Sequence, residues 1–239
     1  MKIKKILFYV LICLLVFIIY FYCKSDKINY VVIGDSISES RNPYNEIIYG
    51  YTDYIVDYLK RNNRFGSYVN FSSYRNTIQN VIDDIYNNKQ IFVNGESYNI
   101  KRSLRESDLV TVTVGMADLY NELIINNNNV NYNNFDTLLE KMEKMLVDLK
   151  KYAKNDIIVM GLFNPLKYSD DKNKFDNILI KLNNDYKKIC ERNGVYFVEI
   201  FDEFENSIEF FQDGLNINPT HKGYKKIYDS FIKKIIELI

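Results

Sequence analysis

Five short apolar runs, rich in β-branched residues, recur along the chain: residues 30–33 (YVVI), 68–71 (YVNF), 109–114 (LVTVTV), 157–160 (IIVM) and 195–200 (VYFVEI). Three of them stop at a glycine: Gly34, Gly115 and Gly161. Runs of this length predict buried strands. Between and after them lie longer segments with apolar residues at three- and four-residue spacing, over 46–61, 77–87, 135–152, 175–193 and 222–238. In the third of these, Leu138, Leu139, Met142, Met145, Leu146 and Leu149 fall on one helical face. Strand and helix in alternation predict an α/β domain, a mainly parallel five-stranded sheet covered on both faces and joined by right-handed crossovers. Residues 126–134 (NNNNVNYNN) read as a surface loop. All three prolines follow asparagine, at Asn42-Pro43, Asn164-Pro165 and Asn218-Pro219, a turn signature that places loops. Ligands in open α/β sheets sit among the loops beyond the carboxyl ends of the strands.

Ahead of this pattern stands an unbroken run of 17 apolar or aromatic residues, 6–22, preceded by Lys2, Lys4 and Lys5. A helix of that length just crosses a bilayer. A cleaved signal peptide is the alternative, but it needs small residues at its cleavage site, and here Tyr20, Phe21 and Tyr22 are bulky. The preferred division is an uncleaved N-terminal transmembrane anchor over residues 1–25 and one domain over 26–239. With the lysines kept in the cytoplasm, the domain lies outside a cell membrane. Composition narrows the chemistry further. The chain carries 31 basic and 31 acidic residues, and setting aside the three anchor lysines leaves 28 against 31, so no basic footprint for nucleic acid exists. One His and three scattered Cys form no zinc set, and no metal or cofactor is expected. Cys190 stands alone in the domain, too few for a disulfide, and reads as a buried small hydrophobe.

The segment Val31-Val32-Ile33-Gly34-Asp35-Ser36 ends a strand in glycine and sets Ser36 where a helix should begin. That position exposes a hydroxyl beside unpaired helix-terminal amides, which can stabilise an oxyanion; an ordinary N-cap serine is the alternative. The wider motif Gly34-Asp35-Ser36-Ile37-Ser38 resembles the first sequence block of the SGNH/GDSL hydrolases, and more closely their membrane-anchored bacterial members. Arg105-Glu106-Ser107-Asp108-Leu109-Val110-Thr111, followed by Gly115-Met116-Ala117-Asp118-Leu119, is similar to the third block, where a strand leads into Gly-x-Asn-Asp. Asn218-Pro219-Thr220-His221-Lys222-Gly223-Tyr224 is similar to the last, where His-Pro-x-x-x-Gly-Tyr is usual. The likeness covers about residues 28–236. It implies a three-layer flavodoxin-like fold and serine-dependent ester hydrolysis, on substrates ranging from lipids and acetylated glycans to simple esters.

The departures from that pattern bear on activity. Ser36 keeps the nucleophile position and one oxyanion position. Arg75 stands where the resemblance implies an oxyanion Gly, Ala117 where it implies the oxyanion Asn, Asn218 for the base His and Asn216 for its orienting Asp. Arg75 still owns a backbone amide, whereas Ala117 has no side-chain donor, and loss of one such donor costs about 10²–10³ in rate. An amide at 218 is no base, and losing a triad base costs on the order of 10⁶. Two rescues are conceivable: His221 as a relocated base oriented by Asp213, or a base supplied by Asp118. Asp35 and Asp118 otherwise read as loop caps that accept backbone amides. The reading placed first is therefore a surface-anchored pseudoenzyme that binds a ligand, an ester, acylated glycan or lipid, in the old cleft. A working esterase using Ser36 and His221 comes next, and an inert scaffold last. Arg75, a long cation, either blocks such a cleft or pairs with an anionic ligand.

Overall fold

The computed structural model describes residues 27–125, 131–164, 172–205, 208–211 and 217–239. The anchor expected over residues 6–22 falls outside the described residues, among which no helix is long and apolar enough to cross a membrane. Among the described residues, seven strands follow in chain order: β1 (Ile28–Gly34), β2 (Phe65–Asn70), β3 (Gln90–Val93), β4 (Glu96–Asn99), β5 (Leu109–Thr113), β6 (Asp156–Met160) and β7 (Tyr196–Val198). Five of them form one sheet in the order β2-β1-β5-β6-β7, every pair parallel. All five expected strands are present in it. The central β5 is buried at every residue, as its unbroken LVTVT run requires, while the edge strand β2 exposes Gly66 and Ser67.

The helices are α1 (Tyr51–Arg61), α2 (Ile78–Tyr86), α3 (Ile100–Glu106), α4 (Met116–Ile125), α5 (Asp136–Tyr152), α6 (Lys172–Arg192), α7 (Phe201–Glu205) and α8 (His221–Leu238). Helix α1 packs on α8, while α5 packs on α2, α3 and α6. The strand order explains the two groups. The step from β1 to β2 runs one way across the sheet and the later steps run the other, so right-handed crossovers put their helices on opposite faces. The apolar stripe read in 135–152 is what α5 buries: Leu138, Met142, Met145, Leu146 and Leu149. Cys190 is fully buried on α6, and burial pushes its thiol up to about 12.

Local chemistry moved several boundaries. The helix expected from residue 46 starts at Tyr51, because Gly50 is extended and its amide is taken by Asp53 Oδ2 at 2.8 Å. The antiparallel pair β3–β4 went unread although its turn, Asn94-Gly95, is plain in the sequence. Both residues have positive φ (52° and 84°), the requirement of a type I′ hairpin turn. The short helices α3 and α7 and the longer α4 were also not anticipated.

Candidate functional site: a serine-floored cleft

The sheet reverses its order of addition between β1 and β5, and the carboxyl ends of those two strands carry Gly34 and Thr113, which pair in register. This is the topological switch point at which α/β sheets open a crevice. Asp35 N extends the ladder by donating to Thr113 O at 3.0 Å. Ser36 then enters a single turn closed by Glu39 N to Asp35 O, not the helix expected there; the first helix waits until Tyr51. Gly34 has no room for a side chain, since an added Cβ would lie 2.5 Å from both Ser38 Oγ and Thr113 O. Gly34→Ala is accordingly expected to destabilise the fold by about 1–3 kcal/mol through overpacking, read as a lower denaturant midpoint at unchanged slope.

Ser36 forms the floor of a cleft of about 440 Å³. Its walls come from three loops and one helix: Pro43 and Asn45, Tyr74 and Arg75, Ile217 with Asn218, and Ala117, Tyr120 and Asn121 from α4. The Arg75 amide donates to Ser36 Oγ at 3.0 Å, with Arg75 in the left-handed region at φ 57°. The backbone therefore holds the conformation a glycine would take, and a main-chain donor stays aimed at the nucleophile position. Ser36 N makes no hydrogen bond to the described residues, so a second main-chain donor is available. Ala117 presents only a methyl group where a side-chain donor was expected. Arg75 lines the cleft without filling it, its guanidinium lying over the Tyr74 ring at 5.0 Å.

Beneath the floor runs a buried hydroxyl chain. Ser38 Oγ bonds Thr113 Oγ1 at 2.6 Å and Tyr51 Oη at 2.7 Å, and Tyr30 Oη bonds Thr111 Oγ1 at 2.7 Å. Thr113 Oγ1 also donates to Asp35 Oδ1 at 3.3 Å, and Ile37 N donates to the same oxygen at 3.0 Å. Burial pushes the Asp35 carboxyl up to about 7, against the pull of those two donors. Asp35 Oδ2 is buried with no partner among the described residues.

The other site residues are dispersed. Asn218 lines the cleft with Ser36, 6% exposed, its Nδ2 donating to Asn42 O at 3.3 Å. Two of the three Asn-Pro turns thus meet at the rim. Asp118 turns away: its Oδ2 accepts from Ile78 N at 2.9 Å at the start of α2, and burial raises its carboxyl above the ordinary range. Both acids thus take backbone amides, as loop caps do. His221 opens α8, exposed, its Nε2 2.9 Å from Tyr54 Oη on α1, and it is absent from the cleft lining. Asp213 and Asn216 lie outside the described residues. Among the described residues, no imidazole and no carboxylate lines the cleft. Asn45, Tyr74, Tyr120 and Asn121 do line it and were missed. Asn121 alone had a signal, standing four residues after Ala117 and so on the same helix face.

The model of the GDSL-like lipase/acylhydrolase family matches residues 30–231. Among solved structures, the chain is similar to the lipase Lip_vut3 from a goat rumen metagenome, at 15% identity and a TM-score of 0.68, with 85% of this chain and 95% of that one covered. It is also similar to a catalytic mutant of Axe2, an acetylxylan esterase from Geobacillus stearothermophilus, at 16% identity and a TM-score of 0.64, over 88% of this chain and 95% of that one. A third is LAE5, an α/β hydrolase enzyme from the metagenome of Lake Arreo in Spain, at 16% identity and a TM-score of 0.62, over 87% and 95%. No curated protein matches the chain.

Proposed function

We propose, on the premise that this chain belongs to the GDSL-like lipase/acylhydrolase family, that it is a ligand-binding member whose serine no longer turns esters over at a useful rate. One observation carries the reading: the cleft keeps Ser36 with the Arg75 amide on its Oγ, yet none of the described residues lining it can accept the serine proton. A general base must come within hydrogen-bond reach of the hydroxyl it deprotonates, directly or through one water. Main-chain donors alone bind and polarise an ester carbonyl without activating an attacker. The lipase and acetylxylan esterase similar in fold act on esters, which makes an acylated glycan or lipid a reasonable occupant. The apolar run 6–22 would hold the domain at the outer face of a bacterial membrane.

The retained aim of the Arg75 amide favours a second reading, an esterase in which a loop shift brings His221 to Ser36. A fluorophosphonate probe separates the two, because it labels serines activated by a base. The detergent-solubilised full chain is expected to stay unlabelled while remaining folded by circular dichroism. Labelling abolished by both Ser36→Ala and His221→Ala would overturn the proposal and establish the esterase.

A further inference from the structure

We infer that the cleft over Ser36 takes a sugar bearing an anionic group, carboxylate or phosphate, with Arg75 as its ion-pairing partner. The inference rests on the reading above that the cleft holds a ligand. Two guanidinium groups lie against the ring of Tyr74, Arg41 at 5.1 Å and Arg75 at 5.0 Å from its centroid. Their situations differ. Arg41 is satisfied by Glu39 at 2.6 Å and by Asn45 O at 2.8 Å, and it does not line the cleft. Arg75 does line it, and among the described residues its side chain makes no ion pair and no hydrogen bond.

The described acids nearby are turned elsewhere. Asp35 lies beneath the floor on Ile37 N and Thr113, Asp118 is held by Ile78 N, and Glu39 is held by Arg41. Among the described residues, the walls of the cavity carry one cation, the Arg75 guanidinium, and no acid. Arg75 is itself exposed at the rim of the cavity, so solvent and salt screen its charge and the pairing depends on the geometry of the contact. Guanidinium suits carboxylate and phosphate because its planar fork meets two oxygens at once. The remaining lining is sugar-like in its demands. Asn45, Asn121 and Asn218 bring side-chain amides, which both donate to and accept from hydroxyls, and Tyr74 and Tyr120 bring flat rings with polar tips. The volume of about 440 Å³ falls in the ordinary range for small-molecule sites, roughly 300–1,000 Å³. Finally, a long cation occupies a left-handed position, φ 57°, that glycine would hold without strain. Strain retained beside a cleft points to a use for the side chain.

Glycine at 75 is also the decisive variant, because it removes the guanidinium while keeping the amide that donates to Ser36 Oγ and relaxing the backbone. Isothermal titration of the full chain in detergent at low salt would compare glucose 6-phosphate, glucuronate and glucose. At least one anionic sugar is expected to bind about tenfold or more tighter than glucose, the usual scale of a hydrogen bond to a charged group. That excess should vanish in Arg75→Gly, survive in part in Arg75→Lys, and shrink as salt is raised. Whichever anionic sugar wins separates a phosphate ligand from a carboxylate one. Equal binding of all three sugars, or undiminished anion binding by Arg75→Gly, would overturn the inference. Failure here with an unlabelled Ser36 would leave the loss of turnover standing; a labelled Ser36 with Arg75-dependent anion binding would do the reverse.

Discussion

Installing His at position 218 and Asn at position 117 together is expected to raise hydrolysis of p-nitrophenyl acetate by about 10⁴-fold over the native chain, the combined scale of a general base and one oxyanion donor. The expectation follows from what the cleft still has. Ser36 sits on the floor, the Arg75 amide reaches its Oγ at 3.0 Å, and Asn218 and Ala117 line the same cavity. Asn218→His puts an acceptor for the serine proton on that wall, worth about 10²–10⁴. Ala117→Asn supplies a third donor to the developing oxyanion, worth about 10²–10³. The two gains need not multiply, since groups that act as a unit are strongly non-additive. Asn218→His alone is therefore the first variant to measure, with Asn216→Asp added afterwards to orient the ring. Steady-state kcat/KM gives the size of the gain, and Ser36→Ala in the same background must abolish it. A folded double variant with no Ser36-dependent gain would mean that more than a base and a donor separates this cleft from a working one.

How far the residues alone foretold this arrangement depends on the range of the forces involved. The five sheet strands were legible because burial on both faces demands continuous apolar runs, and LVTVT or IIVM has no competing reading. The stripe of α5 was legible for the same reason. The β3–β4 hairpin had a local signal in Asn94-Gly95, but Gln90–Val93 and Glu96–Asn99 are largely exposed, so no apolar alternation drew attention to them. At the site, Ser36, Arg75 and Asn218 from separate loops and Ala117 from the start of α4 line one cleft, which motif order anticipates. The pairing of His221 with Tyr54 across 167 residues is a tertiary contact between α8 and α1 that no spacing encodes. Nor does spacing encode the left-handed backbone of Arg75, because arginine carries no preference for it.

Asp35→Asn is expected to change the pH dependence of stability by about 4 kcal/mol between pH 4 and pH 8, the equivalent of a carboxyl moved from 3.8 to about 7. Burial is the main cause, since Asp35 is 2% exposed and its Oδ2 has no partner among the described residues. In the folded chain the carboxyl keeps its proton up to about pH 7, whereas the unfolded chain releases it near its ordinary value of 3.8. Between those limits the folded state binds more protons, so stability falls as pH rises and levels off above 7. Asparagine cannot ionise and removes that contribution. Asp53 and Asp118 are shifted in the same direction and remain in both proteins, so the quantity to measure is the difference between native and variant at each pH. On a chain of this size the variant's melting temperature should gain on the native one by about 10 °C from pH 4 to pH 8. A difference that stays flat would mean that water reaches Oδ2 and the group ionises freely. The proton state bears on the cleft as well. A neutral side chain one residue before Ser36 leaves the Ser36 and Arg75 amides facing the cleft without a negative charge behind them. Once ionised, Asp35 opposes any anion bound there, so the affinity that Arg75 confers should weaken as pH passes through 7, where the fall in stability levels off.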